Sequence, residues 1–436
     1  MIRTVLAIGA LFLLAACGGG GGSSAASGGG SPPPPPPPTT ANYASVVVDA
    51  GPPSLNTGPN AYIQDNVAYV SVTLCAPGTT NCQTIDHVEV DTGSVGLRIA
   101  QGVLTPSLLA ALPLEMDANG NPLGECYGYV DGYAFGSVRQ ADFQVGGEKV
   151  SSMPLQVLGD AGAFSTVPRS CSSGAGANLD TVSALGANGI LGIGVTTTDC
   201  GAACTTPGGY SAAIYYDCPS SGCGAIVAEA ATASAPFQQL PNPVAAMNVD
   251  DNGTILSLPT APAAGETSMT GTLYFGIGTQ SNNALGSATV LQTTASNSAS
   301  GAGLVIAIYN GQTLNESTID SGTNLFLFID STISPCTNPN YVGYYCPGSP
   351  LTLTPTIDGV SGAGVPATFT LNNAAALLAT SYSVLPGLGG NPNLFSSVNA
   401  YPQSFDFGLP FFYGRNVYTA IEGRTAGGVQ GPYFAF

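Results

Sequence analysis

The chain is 436 residues long, enough to build more than one hydrophobic core. Only 7% of its residues are charged while 44% are hydrophobic, which excludes a disordered chain, since disorder goes with few apolar residues. Seven Lys+Arg stand against 25 Asp+Glu, a net charge of −18, so no basic stripe is available to neutralise phosphates and nucleic acid is excluded as a partner.

In chain order, "MIRTVLAIGALFLLAAC" comes first, with Arg3 followed by an apolar stretch over residues 5–14 that is too short to span a bilayer. It ends in Leu14-Ala15-Ala16-Cys17 and resembles the lipobox of bacterial lipoproteins. That resemblance implies a signal peptide over residues 1–16, a lipid-acylated Cys17 and a membrane partner reached through that lipid. Gly18 stands where an Asp would signal inner-membrane retention, so the expected location is the cell envelope at the outer membrane, on its periplasmic or surface face. Eleven cysteines minus Cys17 leaves ten, an even set suited to disulfides in an oxidising compartment. Residues 17–41 read as a tether: Gly/Ser coil, then stiff polyproline II from Pro32 to Pro38.

Strand signals begin at Asn42. "NVAYVSVTLCAPGTTNCQTIDHVEVDTG" reads as strand, loop, strand, with Cys75 and Cys82 bracketing the loop and forming a local disulfide. "YVDGYAFGSVRQADFQVGG" reads as a hairpin and a strand ending in Gly-Gly, and "ANGILGIG" as a buried β segment. Cys200, Cys204, Cys218 and Cys223 follow; in an exported chain they are disulfides rather than a metal site, and the pairings 200–204 with 218–223 or the nested set both remain open. Cys126 with Cys171, and Cys336 with Cys346, complete the set by elimination. A second strand-rich half contains "GTLYFGIG" and "LVIAIYNGQTL". "TPSLLAALP" and "NAAALLATSY" are the clearest short helices. His87, the single histidine, sits in a strand with no nucleophile motif nearby, which argues against a Ser-His-Asp or Cys-His triad and against zinc sites built from several histidines.

Two stretches carry chemistry. "VEVDTGSVGLRIA" and "STIDSGTNLFLFID" each place Asp-[Thr/Ser]-Gly-[Ser/Thr] after an apolar residue (Val90, Ile319) and before an apolar segment, in opposite halves of the chain. One such tetrapeptide is an ordinary turn at a strand end. Two, placed as half-sites, suit hydrolysis by a water held between carboxylates: neighbours this close cannot both ionise, so they share a proton and act as acid plus base. The glycines allow a tight turn and present N–H groups to the carboxylates.

From residue 42 to the end the chain resembles the pepsin-like aspartic peptidases. The resemblance rests on "TIDHVEVDTGSVGLRI", a flap-like "YVDGYAFGSVRQADFQVGG", "NGILGIG", "GTLYFGIG", "STIDSGTNLFLF" and "FGLPFFYGRNVYTAI", in that order. It implies an all-β bilobal fold with few short helices and a cleft between the lobes, an N-terminal lobe over residues 42–250 with the Cys-rich insertion and a C-terminal lobe over 251–436. It implies a peptide or protein substrate, no cofactor, no metal and a monomer. Carried over by residue, Asp91 and Asp320 are the catalytic pair, Ser94 and Thr323 hold their outer oxygens, Thr92 and Ser321 bridge the loops, and Gly93 and Gly322 turn them. Tyr129 falls at the flap tyrosine, with Tyr127 and Tyr133 as competitors. Three features depart from the family: Arg98 replaces a tryptophan that partners the flap tyrosine, no basic prosegment is present, and the second hydrophobic-hydrophobic-glycine is Asp406-Phe407-Gly408. Arg98 is expected to pair with an acid or to disturb the aspartates. The functional expectation is an envelope-anchored aspartic endopeptidase. The alternatives are a non-catalytic protein binding peptide or another ligand in the cleft, and a structural surface lipoprotein with chance turns.

Overall fold

The computed structural model describes residues 41–58, 61–117, 120–172, 176–201, 213–223, 239–298, 301–362, 364–395 and 403–436. The signal-peptide and tether expectations, Cys17 included, lie outside the described residues, as does Cys204 of the expected disulfide set.

Alternation of apolar and polar residues sets the strands. β1 (Tyr43–Val48) buries every second residue. It pairs with β2 (Ala68–Cys75), which runs antiparallel to β3 (Cys82–Asp91). β3 sends Val88 and Val90 into the main core, so Glu89 and Asp91 point the other way. β4 (Val95–Ala100) follows the first Asp loop. The helix read in "TPSLLAALP" is α1 (Pro106–Ala111), capped by Thr105. β5 (Leu123–Gly128) and β6 (Gly132–Val145) form the expected hairpin, and β6 turns at Gly146-Gly147 into β7 (Glu148–Leu158). β8 (Ala177–Asn178) lies beside β6. β9 (Gly189–Ile193) is the buried glycine-bearing run, and β10 (Ala213–Asp217) pairs with β5.

In the second half, β11 (Gly253–Ser257) and β12 (Met269–Phe275) are antiparallel neighbours. β12 also pairs along the whole of β1, from Tyr43↔Tyr274 to Val48↔Met269, so one sheet carries strands of both halves. Residues 40–436 form one compact unit. β13 (Val290–Gln292) lies at the far edge of that sheet. β14 (Val305–Tyr309) and β15 (Gln312–Ile319) form a hairpin that leads into the second Asp loop, and β16 (Phe326–Phe328) leads out of it. The architecture is all-β with a few short helices.

The same local device appears in each half. β9 runs between β3 and β4, parallel to the first and antiparallel to the second. Strand Phe405–Phe407 runs between β15 and β16 in the same two senses. A strand wedged between its flanking partners holds them two strand spacings apart, about 9–10 Å. The connecting loop must cross that gap outside the ladder, so its N–H groups are free for other acceptors. Phe405 and Phe407 stack at 4.3 Å between ring centroids and are fully buried in the aromatic core, which turns Asp406 to the opposite face.

Four disulfides join Cys75–Cys82, Cys126–Cys171, Cys218–Cys223 and Cys336–Cys346, and Cys200 is also disulfide-bonded. The Cys218–Cys223 bond excludes the nested pairing. Among the described residues no helix is long and apolar enough to cross a membrane.

Candidate active site

The two loops place their aspartates alike. Asp91 Oδ1 accepts from Gly93 N at 2.7 Å and Ser94 N at 3.1 Å, and its Oδ2 accepts from the Ser94 hydroxyl. Asp320 Oδ1 accepts from Gly322 N at 2.8 Å, and its Oδ2 faces Thr323 Oγ1 at 3.1 Å. The loops are locked by their hydroxyls. Ser321 N donates to Thr92 Oγ1 at 2.9 Å and Thr92 N donates to Ser321 Oγ at 3.1 Å. The Thr92 hydroxyl donates to Ile319 O at 3.3 Å, and the Ser321 hydroxyl to Val90 O at 2.6 Å. Each hydroxyl thus accepts and donates across to the other loop.

This interlock presses each glycine onto the opposite carboxyl. A Cβ on Gly93 would stand 2.5 Å from the Asp320 carboxyl, and one on Gly322 would stand 2.6 Å from Asp91 Oδ1. Both distances are shorter than any side chain tolerates, so only glycine fits either place. The aspartates, which 229 residues separate (320 − 91), therefore come together, each carboxyl lying against the glycine of the opposite loop.

Burial pushes the Asp320 carboxyl well above its ordinary range, and the charges of Asp91 and Asp406 push it further. Of the pair, Asp320 is the carboxyl whose surroundings favour keeping a proton. Asp91, with three donors, is the better-solvated carboxylate. Two further carboxyls that the motif did not disclose face this pair. Glu89, two residues before Asp91 and on the same strand face, is raised well above its usual range by burial, then by Asp91 and Asp320. Asp406 is pushed up to about 7 by burial, with Asp91 adding to it.

Tyr129 stands in the turn of the β5–β6 hairpin, where its N donates to Gly132 O at 2.8 Å. Its ring meets that of Tyr127 at 4.8 Å, and both phenols lie close enough to Asp91 to feel its charge. The Tyr129 hydroxyl is buried and has no partner among the described residues. Tyr133 packs elsewhere, with Cys126, Phe135 and Cys171.

Arg98 takes the first of its two expected courses. It is fully buried, donates to Glu125 at 2.6 Å, lies 3.4 Å from Asp199, and covers the Tyr127 ring with its guanidinium carbon 3.9 Å from the centroid. Burial and Glu125 hold Asp199 well above its ordinary range in spite of Arg98, because one cation faces two acids. His87 pairs with Asp49 at 3.3 Å and with Asp86 at 3.4 Å.

The family described as "Protein of unknown function (DUF3443)" matches residues 38–436. Among solved structures, an aspartic proteinase from Irpex lacteus is similar at 15% identity and a TM-score of 0.49, covering 90% of this chain and 96% of that one. No curated protein matches.

Two outcomes follow from this geometry. Ser321→Ala removes one hydroxyl that serves both loops and strands Thr92 N; it should lower stability by about 2–4 kcal/mol, read from urea unfolding. Raised carboxyls stabilise the fold while protonated. That contribution is fully present below the unfolded values near 4 and is lost as pH rises through the folded values, about 6 for Asp65 and about 7 for Glu148 and Asp406. The melting temperature should therefore fall between about pH 4 and pH 8, and a rise over that window would contradict these burial effects.

Proposed function

The chain belongs to the DUF3443 family, and we propose that it is an aspartic endopeptidase anchored to the bacterial envelope by lipid on Cys17. One observation carries the catalytic part: two aspartates from two like-built loops, each carboxyl set against the glycine of the other loop, so that the pair can share a proton. In this reading a water lies between the carboxyls. Asp91 takes a proton from the water as its oxygen bonds to the peptide carbonyl carbon. Asp320 gives its proton to the carbonyl oxygen, forming a gem-diol. Asp91 then passes its proton to the amide nitrogen, Asp320 recovers one from the diol, and the C–N bond breaks to give an acid and an amine. The Tyr127–Tyr129 hairpin, whose phenols feel the Asp91 charge, would exclude bulk water once a peptide is bound. The donors already in place need no rearrangement as charge moves.

The catalytic test compares wild type with Asp91→Asn and Asp320→Asn on unfolded protein substrates from about pH 3 to 7. Wild type should cleave, and each variant should lose activity by at least about a thousandfold while remaining folded, because neither retains a carboxyl pair. A statine-type peptide, whose hydroxyl mimics the diol, should inhibit. A folded wild type without activity would leave ligand binding in the cleft as the function. For the anchor, the full-length protein should enter the detergent phase of a cloud-point partition and Cys17→Ser should not; aqueous partition of wild type would remove the lipid from the account.

A further inference from the structure

The second loop contains a hydrogen-bonding problem that its sequence motif does not explain. Thr323 Oγ1 lies 3.1 Å from Asp320 Oδ2 and 2.8 Å from Asp406 Oδ2. A threonine hydroxyl has one proton. Were both carboxyls ionised, one of these contacts would set lone pair against lone pair. Both are hydrogen bonds only if one carboxyl carries a proton and donates it to Thr323, leaving Thr323 to donate to the other.

The surroundings of Asp406 show which carboxyl that is. Its strand runs beneath the second loop, parallel to β15 and antiparallel to β16. Thr318 faces it from β15, and Leu327 is its partner on β16. The titratable groups near it are Asp320 and Asp91, both acidic. Among the described residues no Lys, Arg or His forms an ion pair with any of the three. Asp406 Oδ1 is buried without a hydrogen bond of good geometry, and the Thr318 hydroxyl offsets only part of the cost of a charge there. An anion there would leave a charged oxygen unsatisfied, and a neutral carboxyl avoids that penalty. The upward shift of Asp406 to about 7 has the same direction.

We propose that Asp406 is a positioning residue that donates a proton through Thr323 toward Asp320, so that Asp91, Asp320 and Asp406 together hold two protons where a simple pair holds one. The relay runs Asp406 O–H to Thr323 Oγ1, then Thr323 O–H to Asp320 Oδ2; no bond between heavy atoms is made or broken. When Asp406 ionises at higher pH it claims the Thr323 proton for itself. Asp320 then loses a donor and gains an anionic neighbour, and both effects bind its own proton more tightly. The assembly therefore resists losing its last proton as pH rises, and the alkaline limb of catalysis moves upward. As an account of catalysis this rests on the peptidase reading above; as a count of protons it does not.

The test is Asp406→Asn, near-isosteric and neutral. Its amide donates permanently to Thr323, which leaves the hydroxyl to Asp320 at every pH. Asp320 should then release its proton earlier. The alkaline limb of kcat/KM should move about one unit toward acid while the acid-side rate stays within about threefold. Asp406→Leu, which leaves Thr323 equally free for Asp320, should move the limb the same way and provides a second variant if the first folds poorly. Independently of turnover, the infrared bands of protonated carboxyls near pH 6 should be fewer by one in Asp406→Asn than in wild type, by about one carboxyl per chain. An unchanged number of bands overturns the proposal even in an inactive protein. In an active one, so does a limb that stays in place or moves toward alkali in both variants.

Discussion

The structure depends on four hydrogen bonds made by two hydroxyls. Thr92 and Ser321 each accept an N–H from the opposite loop and donate to a carbonyl of the strand that leads into it. Once they do, Gly93 and Gly322 lie against the carboxyls of Asp320 and Asp91, and no larger residue fits. The carboxyls then have no room to move apart. Their mutual repulsion must be relieved chemically, by keeping a proton between them. Backbone geometry is thereby converted into acid–base chemistry.

The same relief recurs throughout the interior. With seven Lys+Arg for 25 Asp+Glu, this chain has few cations with which to neutralise buried acids. Where a cation is present the acids gather round it: Arg98 serves both Glu125 and Asp199, and Arg139 holds Asp160 at 2.8 Å. Elsewhere burial and neighbouring acids act together to favour the protonated carboxyl, as at Asp320, Asp406, Glu89 and Glu148. A protein built this way is suited to mildly acidic surroundings, where those carboxyls are neutral without cost. The same preference fits a site that needs a shared proton to work.

Arg98 shows how a buried cation can brace a hairpin. Its guanidinium carbon stands 3.9 Å from the centroid of the Tyr127 ring, and Tyr127 in turn packs against Tyr129. A planar cation can stack as an aromatic does, provided that its charge is met. Glu125 and Asp199, brought from two other segments, meet it. The hairpin is thus braced by a buried ionic cluster with no tryptophan in the chain.

The amino-acid sequence by itself determined the loops. Asp, hydroxyl, glycine, hydroxyl lie within four residues, and every bond from Gly93, Ser94 and Gly322 to its aspartate is local, so composition and order suffice to specify them. Repetition of the motif after Val90 and Ile319 indicated that the two act together, and alternation along the chain indicated an all-β fold. The local disulfides were legible for the same reason, as at Cys75–Cys82. Tertiary structure alone decided what surrounds the pair. Glu89 is on the Asp91 face by simple alternation, but its burial depends on strands far away in sequence. Asp406 reads in one dimension as a spoiled apolar motif; it meets Thr323, 83 residues earlier, only because its strand is wedged between β15 and β16. Arg98 disclosed its charge and not its partners, which come from β5 and from a segment 101 residues on. Local hydrogen bonds are written in neighbouring residues, whereas burial and long-range charge depend on which distant segments the packed strands bring into contact.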